Sequence, residues 1–373
     1  MKDLTKISKD YPKGLKVLHV ITTIDLGGAE KALLALVQTQ ITYGFEVTVL
    51  PLKGRLDLLT DFVALKCKVL TDATNKPVIV QMKVIRRHAE EFDVIHCHLP
   101  QAELLTAIAV IDTPIVVTKH NSENMLPRSP GLISLLLSRY VYNRSKIVIC
   151  ISNSVKVFLE NQLELPRNSD KVKVIYYGFS LSLNPYNSAK VKRDPQNRIG
   201  TISRLELQKN LSAFIKVFKL VSLEKSNISG YILGSGSLRD RLLAEISNVQ
   251  LDNKLFILPK TPKVFEFLEV LDVFLFTSSY EGFGLVLLEA MACDVPIVAF
   301  NHSAIPEVLG TEHLGLVEPG DLEGFAQKVK LFIESVSIRD CVILYQQRRL
   351  LEFGNDNQHR LVSECYKNAI TAK

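Results

Sequence analysis

Short apolar runs alternate with longer stretches of mixed character along most of this chain. Residues 15–20 are largely apolar, as expected for a strand buried on both faces of a sheet. Residues 28–43 instead carry apolar side chains at helical spacing. This alternation predicts a parallel sheet with crossover helices. The strands predicted in the first half are residues 15–20, 45–50, 67–70, 92–97, 114–119, 145–151 and 172–176.

The pattern lapses over residues 179–197, which are polar and carry two prolines, and then it restarts. Such a lapse is typical of an interdomain linker. We therefore predict two Rossmann-like α/β domains, residues 1–178 and 198–352, with a crevice between them. The strands predicted in the second half are residues 198–203, 228–234, 254–258, 273–276, 295–300 and 314–318, and its clearest helices are residues 211–224, 238–246 and 285–293.

The length and composition fit a globular protein of this size. The chain has 373 residues, of which 47% are hydrophobic and 23% charged. No apolar run approaches the roughly 20 residues needed to span a bilayer, and residues 1–14 lack the apolar core of a signal peptide. We therefore predict a cytoplasmic protein. The net charge of +6 is compatible with an anionic substrate, an anionic membrane or neither, and no nucleic-acid partner is predicted.

The six cysteines are scattered and contain no C-x-x-C pair. Most of them fall among apolar neighbours in predicted strands or helices. This distribution predicts reduced, buried thiols, with neither a disulfide framework nor a zinc site.

The most specific chemistry lies between residues 274 and 307, where a buried strand, a glycine-bearing turn and a short helix follow one another. Glu281 falls on the turn, and Glu289 falls inside the helix among apolar neighbours. Both would lie near the carboxyl edge of a parallel sheet, where open α/β sheets bind ligands. A carboxylate in apolar surroundings is costly unless it is partnered, and ligand hydroxyls could be those partners. Each glutamate alone has an ordinary structural explanation.

Taken together, Glu281 and Glu289 stand eight residues apart around a Glu-Gly-Phe-Gly turn. This arrangement resembles the E-x7-E signature of retaining family-four glycosyltransferases. The resemblance implies a GT-B fold, with two Rossmann-like domains facing a central cleft and a C-terminal helix, residues 353–373, returning to the first domain. It places Glu281 at the donor sugar and Glu289 on the ribose hydroxyls of the nucleotide. Backbone N–H groups of the turn and helix start would attract sugar and phosphates; they belong to Gly282, Phe283, Gly284 and Leu285.

Three further segments contain residue types that suit a bound nucleotide. Gly27 and Gly28 open the first helix, where missing side chains let a ligand approach the backbone. Arg204 and Lys209 lie at a strand end and a helix start, and two such cations can clamp a pyrophosphate. Gly234 follows the next strand. Each segment alone has an ordinary explanation as a tight turn or an exposed cation, and the resemblance implies donor binding for all three.

Histidines end two of the predicted strands. His96 and His98 share one face of their strand, a spacing that suits a metal. We predict no metal, because no third ligand stands at a recognisable spacing, and the resemblance assigns this strand end to the acceptor side. His120 ends the next strand and precedes a polar loop. A single histidine is more often structural than catalytic, but the resemblance implies that His120 contacts the donor sugar.

An apolar helix at residues 132–137 is flanked by basic side chains. The ordinary interpretation is a core helix with a charged outer face. The alternative is peripheral contact with anionic lipid at the inner face of the membrane. The basic residues concerned are Arg128, Arg139, Arg144 and Lys146.

The sequence therefore predicts a retaining glycosyltransferase without a cofactor or metal. Its donor would be a nucleotide diphosphate sugar, with UDP favoured over GDP. Its acceptor would be a glycan or polyprenyl-linked molecule in cell-surface polysaccharide biosynthesis. Two alternatives stay open: a nucleotide-sugar epimerase on the same fold, and a catalytically silent subunit that binds nucleotide or glycan.

Overall fold

A computed structural model describes residues 14–122, 125, 131–166, 169–180 and 197–371. Most of the predicted linker and the segment before residue 14 lie outside the described residues. The chain divides into two compact units. The first contains Met1–Phe179 together with Phe353–Lys373, and the second contains Ser180–Glu352.

The first unit is built on one parallel sheet, with seven strands among the described residues. The strands are β1 (Lys16–Ile21), β2 (Glu46–Pro51), β3 (Lys68–Val69), β4 (Val94–His98), β5 (Ile115–Lys119), β6 (Ile147–Cys150) and β7 (Val172–Val174). Their spatial order is β3-β2-β1-β4-β5-β6-β7. The central strands are buried on both faces because crossover helices cover each side of the sheet.

The helices of this unit are α1 (Gly28–Thr42), α2 (Leu59–Ala64), α3 (Val78–Ala89), α4 (Pro100–Ala109), α5 (Gly131–Arg144), α6 (Asn153–Leu163) and α14 (Asn355–Thr371). The chain forms the second unit between α6 and α14. Helix α14 packs against α1. Its Val362 and Tyr366 share a core cluster with Val17 and Ile21 of β1. The C-terminal helix therefore belongs to the first unit, as the family resemblance implies.

The second unit contains a parallel sheet with six strands among the described residues, in the order β10-β9-β8-β11-β12-β13. The strands are β8 (Asn197–Ile202), β9 (Ile228–Leu233), β10 (Leu255–Leu258), β11 (Val273–Phe276), β12 (Ile297–Phe300) and β13 (Leu316–Val317). The helices are α7 (Leu211–Glu224), α8 (Arg239–Asn248), α9 (Val264–Glu269), α10 (Leu285–Ala292), α11 (Ile305–Leu309), α12 (Leu322–Glu334) and α13 (Val336–Leu350).

Both sheets reverse their strand order beside the first strand of the unit. The reversal lies between β1 and β4 in the first unit, and between β8 and β11 in the second. Loops that leave the carboxyl ends of strands diverge at such a point and open a crevice for ligands. In each sheet, the loops that follow these strands are therefore the expected place for a ligand.

Every predicted strand is present, with ends that shift by up to two residues. The strand predicted at residues 314–318 is reduced to Leu316–Val317. It is an edge strand, and such strands are often short because unpaired edges invite aggregation. All six cysteines, which lie in the described part of the chain, are free thiols. Four of them are buried as predicted, whereas Cys293 is half-buried and Cys341 is exposed.

Candidate functional site

Lys209 and Glu281 form an ion pair at the carboxyl edge of the second sheet. Lys209 ends a short 3-10 turn after β8, and Glu281 lies on the loop after β11. The Nζ of Lys209 lies 2.5 Å from Oε1 of Glu281, and only 13% and 8% of the two side chains are exposed. The structure therefore brings together the cation predicted for phosphate and the acid predicted for sugar.

Gln208 connects the loop after β8 to the loop after β11. Its backbone oxygen accepts from the N–H of Ser279 at 2.7 Å, and its side-chain amide donates to the oxygen of Tyr280 at 3.0 Å. Arg204, which is exposed, donates to Oε1 of Gln208 at 3.2 Å. These bonds hold the Glu281 loop against the two predicted phosphate-binding cations. Gln208 was not among the residues predicted from the sequence, although an amide between two candidate cations is a usable signal.

Gly234 is explained by close contact between two turns. A Cβ atom there would lie 1.9 Å from the backbone oxygen of Ser203, so only glycine fits. Gly236 is constrained similarly, because a Cβ atom on it would lie 2.5 Å from the backbone oxygen of Leu205. The Gly-x-Gly turn therefore positions the segment that contains Arg204, and this packing accounts for both glycines without a ligand.

Helix α10 begins at Leu285, directly after Gly284. Gly284 has φ of 93°, the left-handed region that favours glycine, and it offers no side-chain oxygen to the first N–H groups of the helix. Phe283 is buried in the core, so its side chain has a packing role. Glu289 is half-buried, whereas Leu288 and Ala290 on either side are fully buried. Glu289 is thus a partly accessible carboxylate on an otherwise apolar helix. The remaining predicted turn residue, Gly282, is buried on the same loop.

His120 follows β5 in the first unit and is buried beside two other polar side chains. Its Nε2 lies 3.1 Å from Nδ1 of His98, and its Nδ1 forms a short hydrogen bond with the hydroxyl of Tyr177. Burial, assisted by the nearby positive charge of Lys119, lowers the pKa of His120 to about 3. His120 is therefore a neutral imidazole at physiological pH.

The reason given for excluding a metal at His96 and His98 was wrong. A third imidazole, His19, lies beside them, and one nitrogen of each ring falls within 4.8 Å of the others. Spacing along the chain could not reveal this, because His19 and His96 meet through the parallel register of β1 and β4. All six ring nitrogens of the three histidines lie within hydrogen-bond distance of another side chain. Those hydrogen bonds explain the cluster.

A small cavity borders this cluster and has a volume of about 20 Å³. This volume is enough for about one water molecule. Apolar side chains, among them residues of α1, β6 and α14, close part of it, and its polar lining comes from His96, His98, Thr118, His120, Tyr177 and Gln358.

The side chain of Glu30 lies against the Gly27-Gly28 turn. A Cβ atom on Gly27 would lie 2.2 Å from Oε2 of Glu30, and Oε1 of Glu30 accepts a hydrogen bond from Thr23 at 2.7 Å. Gly28, the first residue of α1, is exposed. A buried carboxylate at this helix start repels phosphate and suits a hydroxyl group. Glu30 is a functional candidate that the sequence analysis missed, although an acid in the first helical turn is a usable signal.

Helix α5 exposes apolar side chains and buries small polar ones. Leu132 and Leu136 are 68% and 59% exposed, whereas Ser134 and Ser138 are buried. The interpretation of a core helix with a charged outer face is therefore wrong.

Two of the flanking arginines bind backbone carbonyl groups. Arg139 donates to the oxygen of Leu163 at 2.6 Å, and Arg144 donates to the oxygen of Ala107 at 3.2 Å. These guanidinium groups cap neighbouring helix ends, which leaves fewer of their N–H groups for lipid headgroups. Arg128 lies outside the described residues. Within the described part of the chain, no helix has the length and apolar character required to cross a membrane.

Known proteins resemble this chain in sequence and in fold. The family "Glycosyltransferase Family 4" matches residues 26–183, and "Glycosyl transferases group 1" matches residues 186–348. The capsular polysaccharide biosynthesis glycosyltransferase CapM of Staphylococcus aureus is 24% identical over 316 residues, which cover 79% of this chain and 77% of CapM. The N-acetylgalactosamine-N,N'-diacetylbacillosaminyl-diphospho-undecaprenol 4-alpha-N-acetylgalactosaminyltransferase of Campylobacter jejuni is 26% identical over 254 residues, 59% of this chain and 68% of that protein.

A solved structure shares the architecture. HepE of Anabaena, crystallised in complex with UDP-glucose, has a TM-score of 0.80 at 21% sequence identity, and the match covers 95% of this chain and 99% of HepE. At this level of identity the likeness establishes the fold.

Proposed function

This chain belongs to the glycosyltransferases of group 1 and family 4, and from that premise we propose which group it transfers. The donor is a nucleotide diphosphate sugar carrying a hexose or N-acetylhexosamine, and the acceptor is a glycan or a polyprenyl-linked molecule. UDP is favoured over GDP because HepE was crystallised with UDP and with UDP-glucose. The names of CapM and of the Campylobacter relative support a role in cell-surface polysaccharide biosynthesis.

The observation that carries this proposal is the ion pair between Lys209 and Glu281 at the reversal point of the second sheet. When the bond between a sugar and a diphosphate breaks, positive charge develops on the sugar and negative charge on the diphosphate. A carboxylate stabilises the first charge, and a cation stabilises the second. Arg204 adds a second cation beside them. The partly accessible carboxylate of Glu289, about one turn into α10, suits the ribose hydroxyls.

The reaction replaces one bond to the anomeric carbon by another. The bond to the diphosphate oxygen breaks, and the acceptor oxygen bonds to the same face of that carbon. The acceptor proton passes to the departing phosphate oxygen. This same-face course without a covalent intermediate is what the family resemblance implies. Arg204 and Lys209 would offset the leaving charge, and Glu281 and His120 would hold the sugar.

We assign no metal to this reaction. Two cations and the start of α10 supply positive charge to the phosphates, so a divalent ion is not required for charge compensation. Addition of EDTA should change turnover little. Activity that collapses with chelator and returns with Mg²⁺ or Mn²⁺ would overturn this assignment.

The test of the reaction is incubation with a panel of UDP and GDP sugars, with and without acceptor. Nucleotide release that depends on acceptor supports the transferase. Isomerisation of the sugar without acceptor would indicate an epimerase, and binding without turnover would indicate a silent subunit.

Within the site, Glu289→Gln should weaken UDP binding, whereas Glu281→Gln should mainly lower turnover. Equal losses of UDP affinity would contradict this division of roles.

The exposed apolar face of α5 supports contact with a lipid surface at the inner face of the membrane. Leu132, Ile133 and Leu136 project from the first turns of a helix that buries its serines. An apolar face of this kind lies at the boundary between headgroups and acyl chains. Because Arg139 and Arg144 are bound to carbonyl groups, apolar insertion should contribute more than charge does. A polyprenyl-linked acceptor would be met at that surface.

Sedimentation with anionic vesicles tests this contact. We expect the double variant Leu132→Ser with Leu136→Ser to lose most of the vesicle-bound fraction. A matched control is Leu223→Ser, which alters a leucine 70% exposed on α7 of the second unit. High salt should release only part of the protein, because each basic residue near the surface contributes about 1 kcal/mol and few are available. Equal binding by all three proteins, or no binding, would exclude the contact.

A further inference from the structure

A continuous chain of hydrogen bonds crosses the interior of the first unit. We call it the histidine relay, and in order its members are Tyr177, His120, His98, His19, Gln40, Tyr366, His96 and Thr118. All eight side chains are buried. The relay starts beside the proposed sugar contact, His120, and passes through α1 and α14 before it returns to β4 and β5.

Gln40 stands in the middle of the relay and differs from the other members. An amide oxygen can only accept a hydrogen bond, and an amide nitrogen can only donate one. The oxygen of Gln40 lies 2.8 Å from Nε2 of His19, and its nitrogen donates to the hydroxyl of Tyr366 at 3.0 Å. With the amide in this orientation, His19 holds its hydrogen on Nε2 and presents a lone pair at Nδ1.

The tautomer of His19 determines the tautomer of His98, which in turn determines that of His120. Nδ1 of His19 lies 3.0 Å from Nε2 of His98, which must donate to it. Nδ1 of His98 is then an acceptor, and it lies 3.1 Å from Nε2 of His120, which must donate. Nδ1 of His120 is left as an acceptor for the hydroxyl of Tyr177.

The other branch follows the same logic. The hydroxyl of Tyr366 accepts from Gln40 and donates to Nδ1 of His96, at 2.7 Å. Nε2 of His96 then donates to Thr118, at 2.7 Å. One amide thus determines the direction of every hydrogen bond in the relay.

These hydrogen-bond directions hold only while the imidazoles are neutral, because each Nδ1 must accept and a protonated ring donates from both nitrogens. Burial lowers the pKa of His19 to about 4, and burial with mutual repulsion holds the pKa values of His96 and His98 well below their ordinary range. The neutral state that the geometry demands is therefore the one present at physiological pH.

We propose that Gln40 is a positioning residue that sets the tautomer of His120 through His19 and His98, so that Nδ1 of His120 is a hydrogen-bond acceptor. The catalytic meaning rests on the proposed function, in which His120 contacts the donor sugar. A sugar hydroxyl that displaces the Tyr177 hydroxyl from this nitrogen must donate to it. Donors that lack that hydroxyl should be poor substrates.

Nitrogen-15 NMR of histidine-labelled protein tests the tautomers directly, with His120→Gln used to assign the signal. In the unmodified protein we expect His120 to carry hydrogen on Nε2 and a bare Nδ1. The opposite tautomer would overturn the proposal, whatever the enzymatic activity. A protein with the expected tautomer that transfers no sugar would retain the relay and refute the proposed function.

The variant Gln40→Met removes both hydrogen-bonding groups at similar size. We expect His120 to lose its single tautomer and kcat/KM for the donor to fall about tenfold, since small misplacements at a reacting centre have effects of this order or larger. The matched control is Gln38→Met, on the exposed face of the same helix, which should leave both readouts unchanged. Unchanged tautomers in a folded Gln40→Met variant would overturn the proposal.

Metal analysis separates the relay from an ion held by His19, His96 and His98. Coordination by Nδ1 of His19 and Nε2 of His98 needs a lone pair on both atoms, whereas the relay places a hydrogen between them. We expect the purified protein to contain no stoichiometric transition metal. A bound metal that disappears in His19→Gln would overturn the relay.

Discussion

Lys209 and Glu281 stabilise each other as charged side chains. Neither group is well exposed, so each would be costly to bury without its partner. Removing one member of a buried pair leaves an uncompensated charge and costs about 3 to 5 kcal/mol. The pair is therefore both a structural contact of the second unit and a proposed part of its chemistry.

Comparison of Lys209→Met with Arg204→Met separates these two roles. Both changes remove a cation from the proposed phosphate site, which should raise the barrier by about 3 kcal/mol and lower kcat about a hundredfold. Only Lys209→Met should also lower the midpoint of thermal unfolding by several degrees, because Arg204 is exposed. Equal thermal shifts in the two variants would contradict the buried pair.

The buried histidines of the relay predict a loss of stability in acid. Their folded pKa values are depressed, to about 4 for His19 and about 3 for His120. The stability is fully present above the unfolded pKa of about 6.5. As the pH falls below this value, the histidines of the unfolded chain become protonated, whereas the buried histidines of the folded chain stay neutral. Each such histidine therefore costs about 1.4 kcal/mol per pH unit until its folded pKa is reached.

Urea unfolding between pH 7.5 and pH 5 measures this effect. The midpoint for the first unit should fall steeply over that range, although Glu103, whose pKa burial raises, opposes the trend. The variant His96→Gln should have a shallower pH dependence. His88→Gln changes a histidine outside the relay and should retain the full dependence. A flat profile in the unmodified protein would show that these rings are not buried neutral.

At the scale of elements, α14 is a core helix although it follows the entire second unit in sequence. Its Val362, Cys365, Tyr366 and Ala369 are buried against the sheet and α1. Burying a large aromatic side chain such as Tyr366 contributes several kcal/mol, because truncation of a core aromatic residue costs about 3 to 5 kcal/mol.

A chain that ends at Gly354 should therefore lose the fold of the first unit. Hydrogen exchange should show that β1 and β4 lose protection, while the strands of the second unit keep theirs, because the two units have separate cores. A chain that ends at Thr371 retains α14 and serves as the control. Native protection of β1 in the shorter chain would contradict this role of α14.

At the scale of the whole molecule, the proposed nucleotide contacts Arg204, Lys209 and Glu289 all belong to the second unit. The Gly27-Gly28 turn of the first unit is not among them, because the Glu30 carboxylate lies against it. We expect UDP to slow hydrogen exchange in residues 204–211 and 281–292 and to leave β1 and β4 unchanged. Binding to the folded state alone also raises the apparent stability with ligand concentration. Lys209→Met should abolish this protection. Protection confined to the first unit would refute the assignment of the nucleotide site.

Local patterns in the sequence determined the order and type of the elements. A parallel strand covered by helices on both faces must be apolar over its whole length. Such a strand can therefore be recognised from its own residues, without knowing which strands it pairs with. The E-x7-E spacing is also local, because one turn and one short helix place both acids. These features specified two α/β units and the identity of Glu281 and Glu289 as candidates.

Tertiary structure alone decided which distant side chains meet. Lys209 and Glu281 are 72 residues apart, and His96 and Tyr366 are 270 apart, so no spacing rule connects them. The relay depends on the register of β1 against β4 and on the return of α14. The exposure of α5 depends on which of its faces the neighbouring helices cover. The hydrophobic pattern of a sequence indicates how buried a position is. Strand register and helix packing decide which distant side chain it contacts, and hydrogen bonds and ion pairs form only between side chains that are in contact.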